Sequence, residues 1–168
     1  MASTSSFDVT TGVDMMEVTN AVDQATKEIT QRYDFKGLKI GIDLDLKAKT
    51  LTLTAPDDNR IAAVWDVLQS KMVKRKVPLK NLKPGKIETA AAASARQVVE
   101  IQDGLTTEQA KEVVRYLKDA KLKRVQSSIN AETVRISGPD KDDLQAAIAL
   151  LKQHDFGVEL KYGNFRSN

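Results

Sequence analysis

A helix, strand, strand, helix order occurs twice along this chain, and that repeat restricts the fold more than any single motif does. In the first copy, Asp14 with Glu17 reads as an N-cap and capping box. Val18, Val22, Ala25, Ile29 and Tyr33 then recur at helical spacing, so a helix is expected over about 14–33. "LKIGIDLDL" follows, with Leu38, Ile40, Ile42, Leu44 and Leu46 on one face and Lys39, Gly41, Asp43 and Asp45 on the other, the period of a strand wet on one side. "KAKT" turns the chain into a second strand, "TLTLTA". Asp57 or Asp58 caps the next helix, with Ile61, Trp65, Leu68 and Met72 as its buried stripe, before Pro78, Pro84 and Gly85 break the pattern.

The second copy repeats the order. Thr106 and Gln109 form a capping box, Ala110, Val113 and Leu117 give the helical stripe, and "RVQSSI" and "TVRIS" read as strands. Asp140 with Asp143 opens a last helix carrying Leu144, Ala147, Ile148 and Leu151. Adding "SFDVTT" before the first helix, "QVVEI" before the third and a short closing strand such as "VELKY" makes each copy a split β-α-β unit. The expected fold class is therefore α+β: two tandem ferredoxin-like domains over about 5–85 and 86–168, each an antiparallel sheet with two helices on one face. "ETAAAASAR" favours helix by propensity, but the repeat requires extended chain and a turn there, and that is the expectation taken.

At 168 residues and 41% hydrophobic content, the chain can bury a core in two small domains. With no cysteine, disulfides, thiolate nucleophiles and Cys-based zinc sites are all excluded. No segment approaches the roughly 20 apolar residues that span a bilayer, and the start has no signal-peptide character, so a cytoplasmic protein with no membrane partner is expected. His154 is the only histidine, at the end of the last helix, where the dipole favours it. "DFG" at 155–157 lacks every other kinase motif, and neither a P-loop nor a G-x-G-x-x-G is present. Asp43 with Asp45 and Asp142 with Asp143 fit a wet strand face and a helix start better than a metal site. No enzyme, metal or cofactor is expected.

Cations, in contrast, gather. From Lys71 to Lys86 the chain carries seven Lys or Arg and no acid, although the net charge is only +3. Lys111, Arg115 and Lys118 share a helical face, diluted by Glu108, Glu112 and Asp119. A nucleic-acid surface is therefore read on Lys74, Arg75, Lys76, Lys111, Arg115 and Lys118. The wet strand faces lack aromatics, which argues against base stacking on a sheet and for a groove edged by Arg and Lys between the units. In "RYDFKG", Tyr33 is read as completing the core stripe, Phe35 as packing at the helix-to-strand handover, and Arg32 and Lys36 as cations held in place by them.

"SFDV", "RYDFKG", "AKEVVRYLKDAKLK", "VRISG" with "DDLQAAIALL", and "YGNFR" occur in order from Phe7 to Arg166, and together they resemble the YajQ family of bacterial proteins. The resemblance implies first strands exchanged between the units, near 6–11 and 96–102. It also implies a non-enzymatic nucleotide-binding protein, acting in some members as a cyclic di-GMP receptor that modulates transcription, or binding RNA. The matching positions are Phe7, Asp8, Arg32, Asp34, Phe35, Lys36, Lys121, Lys123, Arg135, Asp143, Gln145, Asn164, Phe165 and Arg166. Of these, Arg32, Lys36, Lys121, Lys123, Arg135 and Arg166 are taken as the nucleotide contacts. The implied partners are a nucleotide (cyclic di-GMP, GTP or ATP), RNA, or a transcription-related protein; a protein-interaction scaffold is the remaining reading. The chain departs from the family pattern at Pro139 and Asp140, where cations are usual before "DDLQ", and at "SARQ", where Arg96 is the surviving cation. The acid at 140 weakens the field at that helix start.

Overall fold

The computed structural model describes residues 4–122 and 124–167. Its elements are β1 (Ser5–Thr10), α1 (Met15–Gln31), β2 (Gly41–Asp45), β3 (Thr50–Ala55), α2 (Asp58–Lys74), β4 (Leu82–Ala90), β5 (Ser94–Ile101), α3 (Thr107–Asp119), β6 (Gln126–Asn130), β7 (Thr133–Gly138), α4 (Lys141–Lys152) and β8 (Lys161–Ser167). The strands form two antiparallel four-stranded sheets, ordered β2-β3-β5-β4 and β6-β7-β1-β8, and each sheet packs two helices on one face. Both orders are those of the ferredoxin-like fold.

The first strands are exchanged relative to the repeat. β5 lies between β3 and β4, whereas β1 pairs with β7 on one side and β8 on the other. One compact unit is thus the contiguous run Val13–Gln102, and the other joins β1 to the chain from Asp103 onward. β4 continues past position 85, and the "ETAAAASAR" stretch forms the hairpin between β4 and β5. There a short 3-10 turn, Ala91–Ala93, replaces any longer helix.

In the unit containing β1, alternation puts Phe7, Val9, Val134 and Ile136 under the helices, each with no exposed surface, against Val113, Leu144, Ala147 and Leu151. Burying each such side chain stabilises the fold by about 1.5–3 kcal/mol. In the 13–102 unit, Leu51, Leu53 and Val99 meet Val18, Ala21, Ile61, Val64 and Leu68 in the same way. Asn81, fully buried, ties the start of β4 to the end of β5: its Nδ2 donates to the Gln102 carbonyl at 2.9 Å, and the Gln102 N–H donates to the Asn81 carbonyl at 2.8 Å.

Several local expectations are corrected. α1 ends at Gln31, because Arg32 turns extended and the chain enters a 3-10 turn at Tyr33–Phe35. That turn rotates Tyr33 off the apolar stripe, leaving it 91% exposed, while Phe35 is buried as expected. Asp14 caps α1 by accepting the Met16 N–H, and Glu17 takes the Asn20 amide, so there is no capping box. Leu38 and Leu46 fall outside the short β2 and are exposed. Trp65 is only partly buried. Asp140 caps α4 through the Asp142 N–H, and the closing strand lies later than "VELKY". The Thr106–Gln109 capping box is present in full. Among the described residues, no helix is long and apolar enough to cross a membrane.

Candidate functional site

β1 and β7 run antiparallel with Asp8 directly opposite Arg135. Because Phe7, Val9, Val134 and Ile136 point under the helices, Asp8 and Arg135 point to the open face of the sheet. Arg135 Nε donates to Asp8 Oδ1 at 3.0 Å. The third member comes from a break in β8: Ser6 pairs with Arg166 but Asp8 with Gly163, so two residues oppose Phe7. Asn164 takes the left-handed conformation there, φ 53°, which asparagine tolerates better than most residues. Its Nδ2 thereby donates to Asp8 Oδ2 at 2.7 Å, and its Oδ1 accepts from Arg166 Nε at 3.4 Å.

The result is a four-residue polar chain, Arg135, Asp8, Asn164 and Arg166, on one wet sheet face. The Asp8 side chain is 15% exposed and that of Arg135 37%. The Arg135 hydrogen bond, opposed by burial and seconded by Asn164, holds the Asp8 carboxyl below its ordinary value near 3.8, and Asp8 in turn raises Arg135. Both stay charged at neutral pH. Each carboxylate oxygen keeps a spare lone pair for an incoming donor.

Beneath the bulge Phe165 stacks on Phe7, ring centroids 5.8 Å apart, yet remains 60% exposed. It borders a small cleft of about 170 Å³ shared with Ser5, Ser6, Lys141, Gln145 and Arg166. That volume suits a phosphate or a sugar rather than a whole nucleotide.

The expected contact residues therefore divide. Arg135 and Arg166 are brought together; Lys121 lies at the exit of α3, exposed and in a left-handed conformation; Lys123 falls outside the described residues. Arg32 and Lys36 belong to the 13–102 unit. There Arg32 grips Asp34 through Nε and Nη2, at 2.9 and 2.6 Å, and its guanidinium lies 4.4 Å over the Phe35 ring. Lys36 is exposed at the end of the 3-10 turn.

The basic stretch at the end of α2 is partly neutralised from α1: Lys71 reaches Glu28 at 3.1 Å and Arg75 reaches Glu17 at 3.6 Å, beside exposed Lys74 and Lys76. Lys111, Arg115 and Lys118 are exposed along α3. His154 meets Glu112 at 2.8 Å and stacks on Tyr116, whereas in "DFG" Asp155 accepts the Gly157 N–H and Phe156 is buried. Both are packing features. Arg96 pairs with Glu88 across β4 and β5. Asp8 and Asn164 are the network members absent from the expected contacts. The alternation Phe7, Asp8, Val9 carries a signal for Asp8, but nothing in the spacing marks the bulge that turns Asn164.

A family model described as "Nucleotide-binding protein YajQ-like" matches residues 5–166. Curated relatives span the same length. A nucleotide-binding protein of Koribacter versatilis is 48% identical over 163 residues, 97% of this chain and 98% of the relative. One from Carboxydothermus hydrogenoformans is 48% identical over 166 residues, covering 99% and 100%, and one from Geotalea daltonii is 49% identical over 162 residues, covering 96% and 98%.

Proposed function

The chain belongs to the YajQ-like family, and from that premise we propose that it is a cytoplasmic, non-enzymatic nucleotide-binding protein. On this reading it recognises a guanine nucleotide, cyclic di-GMP included, and acts as a regulatory effector. The observation that carries the reading is the Asp8–Arg135–Asn164–Arg166 network. Guanine presents two adjacent donors on its Watson–Crick edge, the complement of a carboxylate, and two adjacent acceptors, O6 and N7, the complement of a guanidinium. Adenine sets a ring acceptor against the same carboxylate and is disfavoured. Lys141 and Arg166 at the adjoining cleft supply charge for a phosphate.

Calorimetric titration with cyclic di-GMP, GTP and ATP tests this. Guanine ligands are expected to bind at least about tenfold more tightly than ATP, and Arg135→Ala to weaken them by a similar factor, the size of one charged contact. The reading fails if no nucleotide gives heat near millimolar concentration, or if Arg135→Ala leaves guanine binding intact. RNA binding along residues 71–86 is the second reading, carried by exposed Lys74 and Lys76 with Lys71 and Arg75 paired to Glu28 and Glu17.

A further inference from the structure

Each sheet has two outer strands, β2 and β4 in one and β6 and β8 in the other, and an outer strand presents a row of N–H and C=O groups to which another strand can add. Three of the four carry the usual guards. β2 has Asp43 and Asp45; β4 has Lys83, Pro84, Lys86 and Glu88 with a register shift after Pro84; β8 has Lys161 and Arg166 with its own register shift. β6, "QSSIN", has no charge, no proline and no register shift against β7. Counting the antiparallel alternation back from the two-residue turn at Ala131 and Glu132, the N–H and C=O of Ser127 and Ile129 face the open edge. Ile129 is 43% exposed.

Beside this edge runs a groove of about 490 Å³ between α3 and β6. Val114, Leu117, Leu122 and Val125 line it with apolar surface, and Lys118 stands at its rim. Lys111 and Arg115 lie on the same helical face as Lys118, and Lys121 follows at the exit of α3, each exposed. Of the acids on α3, Glu112 is engaged by His154, leaving Glu108 and Asp119 to offset them.

We propose that the β6 edge and this groove are a docking site for an extended acidic segment of a partner protein, which adds to the sheet as a further strand. The backbone ladder supplies affinity, and on the strand face that looks toward α3 apolar side chains enter the groove while acidic ones meet the cationic rim. A second copy is a poor occupant: α3 packs over the β6 side of its sheet, so edge-to-edge pairing of two chains sets two α3 cation faces side by side. The site shares no residue with the Asp8–Arg135 network, so each can fail without the other.

The test uses the full chain and two fluorescein-labelled decapeptides with threonine at every second position, the positions between carrying valine and glutamate in turn in one peptide and valine and lysine in turn in the other, titrated by fluorescence anisotropy. The acidic peptide is expected to bind saturably and the lysine peptide at least about tenfold more weakly. Hydrogen exchange at the Ser127 and Ile129 amides should slow in the acidic complex. Lys118→Glu with Lys121→Glu should weaken the acidic peptide about tenfold with melting unchanged, and Ile129→Lys, which installs a guard, should abolish binding. Equal binding of both peptides, or unchanged exchange at Ser127 and Ile129, overturns the proposal. So does a dimer in which those amides are already protected, or protection by single-stranded RNA but by neither peptide.

Discussion

Asp8 is the acceptor at which both Arg135 and Asn164 aim, and this makes its ionisation visible in stability. Its carboxyl is held below 3.8 in the folded chain, chiefly by Arg135, so the unfolded chain binds the proton more readily. The stabilisation is present at neutral pH and is lost as pH falls through the depressed folded value. Urea midpoints should therefore drop on acidification more steeply for the native chain than for Asp8→Asn, the two curves converging once pH lies below the depressed folded value; parallel curves would remove Asp8 from the acid response. Tyr33 and Phe35 form a second residue-level contrast, 91% against 5% exposed two positions apart. Phe35→Ala should cost about 3–5 kcal/mol and Tyr33→Ser no more than about 0.5 kcal/mol, both read by urea denaturation.

At the scale of elements, stability follows from how each helix begins and where each strand stops. In α3 the Thr106 hydroxyl accepts the Gln109 N–H at 3.1 Å and the Gln109 side chain returns to the Thr106 N–H at 3.1 Å. Thr106→Ala should cost about 1 kcal/mol, seen as a lowered urea midpoint with an unchanged slope. This box, the four helices and the alternation of β1, β3, β5 and β7 were all legible, because apolar period and cap chemistry are local. The end of α1 was not, because a 3-10 turn at Tyr33–Phe35 continues the helical spacing while changing its direction. The bulge in β8 was also hidden, and with it the place of Asn164 in the network. Arg135 could be placed on a wet face from Val134 and Ile136, whereas its partner across the sheet required knowing which strand lies beside it.

At the scale of the whole molecule, strand exchange is the feature that local pattern cannot reveal. Phe7 and Val9 alternate as Val99 and Ile101 do, so either strand suits either sheet by period alone. The consequence is an asymmetry of autonomy. Residues 13–102 contain every strand of their sheet, whereas the chain from Asp103 lacks β1, which sits between β7 and β8 and carries Phe7 and Val9 into the core. A fragment of residues 13–102 should unfold cooperatively by circular dichroism. A fragment of residues 103–168 should be largely unstructured until a peptide covering residues 4–12 is added. A cooperative transition in 103–168 alone would contradict this.

The central position of β1 also has a consequence in time. Ser5 pairs with Ser167, so the strand emerges from the ribosome with its partner still to be made. At roughly 5–20 residues per second it waits on the order of ten to thirty seconds, with Phe7 and Val9 exposed to solvent and to other nascent chains. In the last part of that interval, once Gln102 has emerged, the 13–102 unit can already close on itself. A strand made before both of its partners is thus among the last to be buried, and it is the segment a chaperone would have most reason to hold.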